Sequence, residues 1–443
     1  MLARNLLTTT ASIIVRMMLS FAASVMLARL LGAELRGIYA LAVLISETVY
    51  AFGTLGLSTS NIVFAGKYPE KRGAIAFHSL AFSLLISLLT LGFCVYVLKS
   101  QPAWFSRFRV IGTINLILAC CLVFPRLASI YLESGVLGAN RIFAVNLATV
   151  LMPLSQIVLL LVLLGVLGLG VTGGIITQLG SFGFMLLFMF VATAMQVPIR
   201  TWRPDLPFFK KSMSLGLKTH LNHMAWYVAH RIDMYMIAFL IPNSDTALGQ
   251  YAVAAQFAQV LWLLPQSLQT VFLPYLSVTS VAKERITVKT SRVLFIMMLP
   301  ICGLLLIGAP LIKIILGTDY AESILPFIVF LPGIFLFGSV QPLDSYLTHS
   351  EKPMYGAVNS WIGALTNIGL NSYFIPRSGI AGAALASSLS VILMALITVG
   401  CFKYETKLRF SQFMLCRSDF ASLTGIAKGL IGQLKSRIFS KLS

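Results

Sequence analysis

Residues 142–165 read IFAVNLATVLMPLSQIVLLLVLLG, a run of 24 amino acids without Asp, Glu, Lys or Arg. A helix that crosses the hydrocarbon core of a bilayer needs about 20 predominantly apolar residues, so this run predicts one membrane-spanning helix. Similar runs recur along all 443 residues. We predict twelve spans, near 9–31, 38–63, 74–98, 110–133, 142–165, 171–195, 213–241, 247–275, 292–316, 323–347, 354–375 and 379–402.

The composition supports the same class of protein. It is 58% hydrophobic and 11% charged, whereas soluble domains carry about 25% charged residues. The net charge is +19. The basic residues that produce it lie between the apolar runs, as in membrane proteins with basic loops. An ordinary soluble enzyme and a nucleic-acid-binding protein are therefore excluded. The six cysteines form no C-x-x-C pair, so we expect inert thiols and no metal site.

The distribution of Lys and Arg predicts the orientation. If both termini are cytoplasmic, 23 of these residues lie on inner segments, seven on outer segments and three within spans. Cytoplasmic loops are richer in Lys and Arg, so this orientation is favoured. The outer seven are Arg29, Arg36, Lys99, Arg107, Arg109, Lys313 and Arg377.

An internal repeat divides the chain into two halves. The sequence GIYA at 37–40 recurs as GQYA at 249–252, and GVTG at 170–173 recurs as GIAG at 379–382. The two offsets nearly agree, and each contains six spans, so the halves share one orientation. We predict an all-α membrane protein with two six-helix lobes related by a pseudo-two-fold axis along the membrane normal. The predicted divisions are an N-terminal lobe at 1–195, a cytoplasmic linker at 196–212, a C-terminal lobe at 213–402 and a basic cytoplasmic tail at 403–443.

Apolar residues recur every fourth position in the tail, interleaved with lysine and arginine. This pattern predicts an amphipathic helix on the anionic inner leaflet. A frayed basic tail is the alternative. The apolar positions are Ile426, Leu430, Leu434, Ile438 and Leu442.

Three arginines fall within predicted spans: Arg16, Arg126 and Arg231. Charges inside a membrane tend to face a bundle interior or a water-filled cavity. Arg16 and Arg231 lie at similar depths in the two halves, so we predict that the three converge between the lobes and bind a pyrophosphate. The alternatives are snorkelling, or pairing with carboxylates. The carboxylates considered are Glu47, Glu133 and Asp233.

The seventh span is unusually polar. His223, Tyr227 and His230 share one helical face, and histidine can titrate near neutral pH. We consider proton coupling for this cluster, with polar packing as the alternative. The candidate ion-coupling residues are Glu47, His223, His230, Asp233 and Asp344.

Four glutamines in the eighth span fall at steps of 3, 7 and 3, which predicts a single stripe. Amides and an indole suit sugar hydroxyls and sugar faces, whereas amide pairing between helices is the alternative. The predicted sugar-contacting residues are Gln256, Gln259, Trp262, Gln266, Gln269 and Asn367.

No constellation of catalytic residues is visible, and the outer connections are too short for a catalytic domain. The chain has no G-x-x-x-x-G-K-[ST] phosphate loop, so we expect no ATP use by this chain and no cofactor. These patterns favour a transporter over an enzyme. A membrane polymerase or ligase would need a long outer loop, and a scaffold would not explain arginines within spans of both halves.

Several segments resemble a known family. ARLLG at 28–32, RGIYA at 36–40 and LGLS at 55–58 look like the first two helices of bacterial O-antigen-type oligosaccharide-lipid flippases. These belong to the multidrug/oligosaccharidyl-lipid/polysaccharide exporter superfamily. The second half and the last helix are similar to the same family. The segments are RID at 231–233, LGQYAVA at 248–254, LLPQS at 263–267, LP at 273–274 and GIAGAA at 379–384.

The resemblance implies a flippase in the bacterial inner membrane that turns an undecaprenyl-pyrophosphate-linked oligosaccharide to the outer leaflet. Membrane lipids, a polysaccharide polymerase and chain-length proteins are the partners it suggests, without nucleic acid. A drug or metabolite exporter and a lipid II flippase are the alternatives within the superfamily. Helix 1 carries Arg16 instead of the carboxylate of well-known drug exporters, and lipid II flippases usually have fourteen helices.

Overall fold

The computed structural model describes residues 2–278, 283–349, 354–416 and 419. The described helices are joined by short connections and 3₁₀ turns. They are α1 (Leu2–Gly53), α2 (Leu57–Lys67), α3 (Arg72–Ser100), α4 (Thr113–Cys121), α5 (Val123–Gly138), α6 (Ile142–Leu160), α7 (Gly170–Ala194), α8 (Leu206–Leu240), α9 (Asp245–Ala258), α10 (Leu263–Val278), α11 (Lys283–Ile307), α12 (Leu311–Leu316), α13 (Ile324–His349) and α14 (Met354–Thr406).

The protein is a multi-pass membrane protein, as predicted. Within the described residues, nine helical stretches are long and apolar enough to cross a membrane. Two of them are broken, because Gly32 in α1 (φ 71°) and Gly379 in α14 (φ 56°) leave the helical conformation. Counting each broken stretch as two spans gives eleven, and the more polar, 35-residue α8, which is not among the nine, is long enough to be the twelfth. The all-α, two-lobe prediction is confirmed.

Several predicted helix ends are wrong. The predicted span at 38–63 is interrupted after Gly53, because Leu55 and Gly56 take positive φ angles of 42° and 67°, where a helix cannot continue. The seventh span begins at Leu206, seven residues before the predicted start. The predicted linker at 196–212 is thus partly helical.

The two repeat motifs have matching structural roles. Gly170 and Gly379, the first glycines of the G-x-x-G matches, have φ angles of 54° and 56°. These left-handed conformations favour glycine, which lacks a Cβ atom. The other pair, Gly37 and Gly249, meets directly between the two halves of the chain.

Within the first half, α5 packs on α3 and α7, and α6 packs on α7. Within the second half, α14 packs along both α8 and α13. The main contact between the halves is made by α1 along α9.

Two close backbone approaches join the halves at opposite ends of the α1 segment that follows Gly32. At one end, which we call the Gly37 seal, a methyl group on Gly37 would lie 1.7 Å from the carbonyl oxygen of Asp245. At the other end, the Gly56 seal, a methyl group on Gly56 would lie 2.0 Å from the carbonyl oxygen of Gly216. Only glycine permits such approaches. The two halves are therefore in direct backbone contact at both places.

The start of α8 is fixed to the first half of the chain. Asp205 caps α8 by accepting a hydrogen bond from the Phe208 amide (3.1 Å), and it pairs with Lys71 at 2.7 Å. The hydrogen bond from Lys71, followed by that from the Phe208 amide, holds the pKa of the Asp205 carboxyl below its ordinary value. The Phe208 ring packs against the Phe64 ring, with the two ring centroids 5.6 Å apart. The ends of the predicted linker between the lobes, at 195/196 and 212/213, remain a prediction.

The end of the described chain is held against α11. Arg292 donates to the carbonyl oxygens of Gln412 and Met414, at 2.7 and 3.0 Å, and pairs with Asp419 at 3.1 Å. The predicted amphipathic helix of the tail lies outside the described residues.

Candidate functional site

Two of the three predicted arginines meet at one carboxylate between the lobes. Glu47, on α1, lies 3.3 Å from Arg126 of α5 and 3.4 Å from Arg231 of α8. The next residue, Thr48, adds a second link between α1 and α8, because its hydroxyl hydrogen-bonds the Tyr227 and Tyr235 hydroxyls at 2.7 and 2.6 Å. One negative charge is thus shared by two cations, one from each half of the chain.

This arrangement combines two of the possibilities that the sequence leaves open. Arg126 and Arg231 converge, as the anion-site prediction requires, and both also pair with Glu47, as the alternative requires. Arg126 is further enclosed by the Tyr50 and Phe182 rings, at 5.0 and 5.3 Å from their centroids. The pair retains one uncompensated positive charge, since a single carboxylate serves both arginines.

Arg16 does not join this cluster. Its side chain is exposed, and it forms no ion pair within 4.0 Å of any described residue. Arg16 interacts electrostatically with Glu133 of α5. The predicted convergence of three arginines is therefore limited to two.

Arg36 is a buried arginine whose position the sequence pattern predicts wrongly. The apolar pattern predicts an outer connection at this position, but the helix resumes at Ala33 after the Gly32 break, so Arg36 lies one turn inside the helix. The side chain is only 7% exposed. Its Nη2 lies 3.4 Å from Oε1 of Gln256 and 3.5 Å from Oγ of Ser24. The sequence feature that could have indicated a buried interlobe position for Arg36 is its place directly before Gly37 of the GIYA repeat motif.

A polar cavity of about 260 Å³ lies between the lobes, and its charged wall consists of Arg36, Glu47 and Arg231. We call Glu47, Arg126 and Arg231 the Glu47 cluster; Arg126 reaches Glu47 but does not line this cavity. Neutral amides and hydroxyls supply much of the remaining polar wall. They include Ser20, Ser24, Gln156, Gln178 and Gln256. Cationic and neutral hydrogen-bond donors facing one space suit an oxyanion.

A second cavity, of about 300 Å³, adjoins the first and is lined by aromatic rings. The Trp226 and His230 rings stack with centroids 4.1 Å apart. The Trp262 and Phe337 rings stack at 5.7 Å. We call it the aromatic cavity; Arg231 and Gln259 line both cavities, so the two are adjacent parts of one interlobe site.

The four predicted glutamines do not form a single stripe. Residues 259–262 form a 3₁₀ turn between α9 and α10, which changes the angle between successive side chains. Gln256 faces the polar cavity, Gln259 faces both cavities, and Gln266 faces the aromatic cavity. Gln269 instead donates to Gln341 and Ser345 inside the second half.

Asp233 is the centre of a buried hydrogen-bond network in the second half. It accepts hydrogen bonds from the Tyr251 hydroxyl, from the Ser387 hydroxyl at 3.2 Å and from the Met234 amide at 2.8 Å. Asn367 donates to Ser387 at 3.1 Å and accepts from Asn371 at 2.6 Å. The predicted sugar-contacting Asn367 is thus fully buried in this network, although Asp233 and Ser387 reach the aromatic cavity.

The remaining ion-coupling candidates are dispersed. His230 lines the aromatic cavity, whereas His223 is exposed and lines neither cavity. Asp344, on α13, also lines neither cavity. Across the described part of the chain, no group of three His, Cys, Asp or Glu side chains could hold a metal ion.

Comparisons with solved structures identify the fold. The inward closed conformation of the lipid II flippase MurJ matches with a TM-score of 0.71 and 18% identity, covering 92% of this chain and 88% of that one. An inward-facing multidrug resistance MATE transporter of the MOP superfamily matches with a TM-score of 0.66 and 15% identity, covering 89% and 98%. Its outward-facing counterpart matches with a TM-score of 0.63 and 12% identity, covering 90% and 95%.

Sequence comparisons identify the family. No curated protein sequence matches the chain. The profile of a family described as polysaccharide biosynthesis protein matches residues 26–325, which include the Glu47 cluster and most of both cavities. The resemblance found in the sequence segments is thereby confirmed, and the chain belongs to the polysaccharide biosynthesis protein family, with the fold of MOP-superfamily transporters.

Proposed function

We propose that this protein is a flippase that moves an undecaprenyl-pyrophosphate-linked oligosaccharide from the cytoplasmic to the outer leaflet of the inner membrane by alternating access. The observation that carries the proposal is the sharing of Glu47 by Arg126 and Arg231, which joins cations of the two halves in the space between the lobes. Membership of the polysaccharide biosynthesis family supports a glycan as cargo.

The arginine pair would bind the pyrophosphate. Guanidinium groups bind phosphate oxygens through paired, charge-assisted hydrogen bonds. In the present state Glu47 occupies the two arginines at 3.3 and 3.4 Å, so it acts as an internal counter-ion. A diphosphate carries more negative charge than one carboxylate and would displace Glu47 from at least one arginine.

The aromatic cavity would hold the sugars nearest the pyrophosphate. Trp262 and Gln259 lie on its wall beside Arg231, which allows an indole face and an amide to contact a sugar next to the bound anion. Gln266 is placed to extend this contact. The polyprenyl chain would stay among the membrane lipids.

Transport requires the Gly37 and Gly56 seals to open alternately. The Gly37 seal faces the outer side in the orientation that the charge distribution favours. The two halves would rock about the Glu47 cluster, as in transporters built from two related repeats. Asp233 would couple this motion to a proton or a monovalent cation, because it is a buried carboxylate that reaches the aromatic cavity, whose access changes as the halves rock.

A leaflet-sidedness assay in proteoliposomes tests the proposal. A fluorescent undecaprenyl-pyrophosphate glycan is incorporated, and the fraction reached by an external glycosidase is followed with time. We expect Arg231→Gln and Arg126→Gln each to slow glycan movement at least about tenfold, because a hydrogen bond to a charged group contributes about 1.5–3 kcal/mol.

The matched control is Arg377→Gln, which removes a guanidinium that stacks 3.7 Å from the Tyr373 ring centroid, away from both cavities. It should flip glycan at the wild-type rate. Full activity of well-inserted Arg126→Gln and Arg231→Gln proteins would remove the arginine pair from the mechanism. Transport of cationic dyes without movement of glycan would favour the exporter alternative.

A further inference from the structure

Arg36 is a buried cation that the proposed pyrophosphate site does not use. Its Nε atom is buried and has no hydrogen-bond partner among the described residues. The groups near its Nη2 atom, Ser24 and Gln256, are neutral and lie at 3.5 and 3.4 Å, at the far limit of hydrogen bonding. Ser24 also donates to Gln256, which holds the amide in place.

No carboxylate forms an ion pair with this guanidinium within 4.0 Å among the described residues. Glu47 of the same polar cavity interacts electrostatically with Arg36 but forms no ion pair with it, and its two paired cations are Arg126 and Arg231. Tyr39 contributes only a ring face, with its centroid 5.1 Å from the guanidinium carbon. A buried charge without a partner is strongly unfavourable, so this environment is suited to a transient anionic ligand.

The location of Arg36 indicates when such a ligand could reach it. Arg36 precedes Gly37 in the chain, so it lies directly against the Gly37 seal. It also lines the same polar cavity as Glu47 and Arg231. An anion that leaves the Glu47 cluster towards the Gly37 end therefore meets Arg36 last, just before the seal.

We propose that Arg36 is a second oxyanion-binding residue, at the Gly37 end of the polar cavity, which takes a phosphate or diphosphate group as it moves from the Glu47 cluster. The direction of movement rests on the proposed function, whereas the binding of an oxyanion does not. When the anion passes to Arg36, Glu47 is free to pair again with Arg126 and Arg231. When the Gly37 seal separates, Gln256 moves away from Arg36 with α9, and the anion is released.

Calorimetry with inorganic pyrophosphate and the purified full-length protein tests this assignment. We expect Arg36→Gln to weaken pyrophosphate binding at least about tenfold, which is the loss expected for a hydrogen-bonded charged group. Arg36→Lys should retain part of the affinity, because it keeps the charge but loses the paired geometry. The control Arg377→Gln should bind like the wild type.

The outcomes separate this inference from the proposed function. If Arg36→Gln binds pyrophosphate as the wild type does while Arg231→Gln loses affinity, the second oxyanion site is wrong and the central site stands. If Arg36→Gln loses affinity while Arg231→Gln does not, the second site stands and the central assignment fails. Should Arg36→Gln not fold, Arg36→Lys decides: a loss of about threefold or more supports the site, and unchanged affinity refutes it.

Discussion

Replacing Gly37 with alanine should force the Gly37 seal open. The added methyl carbon would lie 1.7 Å from the carbonyl oxygen of Asp245, whereas a carbon and a carbonyl oxygen in contact need about 3.3 Å. The helices must therefore separate by about 1.6 Å. The obstacle is backbone, which cannot turn aside as a flexible side chain can. Overpacking of this kind costs about 1–3 kcal/mol.

This penalty applies to the closed state alone, because the clash disappears once the lobes separate. A loss of about 1–3 kcal/mol lowers the ratio of closed to open protein about 5- to 140-fold. The consequence is a shift in population towards the state open at the Gly37 end, and not a general loss of folding.

Cysteine accessibility measures this shift. Ser24 lines the polar cavity beneath the seal, so Ser24→Cys can be labelled with a membrane-impermeant maleimide from the predicted outer side. The protein without this substitution gives the background from the native cysteines. We expect the Gly37→Ala background to raise the labelling rate of Ser24→Cys by about fivefold or more.

Gly92→Ala is the matched control, because a methyl group at this α3 position meets no atom within 4 Å. It should leave labelling unchanged. Equal labelling of the Gly37→Ala, Gly92→Ala and parent proteins would refute the conclusion that this backbone contact holds the lobes closed.

Three further substitutions test individual charges. Glu47→Gln keeps the shape of the side chain but removes the internal counter-ion, so the affinity for inorganic pyrophosphate in calorimetry should rise about tenfold; a weaker affinity would contradict the counter-ion role. Asp233→Asn should abolish the response of glycan flipping to an imposed proton or sodium gradient in proteoliposomes, and a retained response would exclude Asp233 from coupling. Asp205→Asn should lower the melting temperature at pH 7, because the depressed pKa of Asp205 contributes stability above its unfolded value of about 3.9. That contribution is lost as the pH falls through the lower, folded-state pKa, so a difference that persists unchanged at pH 3 would refute the assignment.

The sequence by itself determined the membrane-spanning, all-helical class of the protein and its two related halves. Apolar length is a local property, because each span must satisfy its backbone hydrogen bonds within its own helix. The repeat was readable because its glycines have a backbone requirement: Gly170 and Gly379 adopt positive φ angles of 54° and 56°. The convergence of Arg126 and Arg231 was also predictable, since charges inside a membrane seek one another or a cavity.

Only the tertiary structure decided which side chains share a space. Arg36 was misassigned because the break at Gly32 occupies one residue, so the next helix began earlier than its apolar pattern indicated. The 3₁₀ turn at 259–262 separated Gln269 from the other glutamines, and a periodic pattern cannot reveal such a turn. Helical periodicity fixes the faces within one helix, but the contacts between helices depend on packing across long sequence separations. The pairing of Glu47 with Arg126 and Arg231, 79 and 184 positions away, is such a contact.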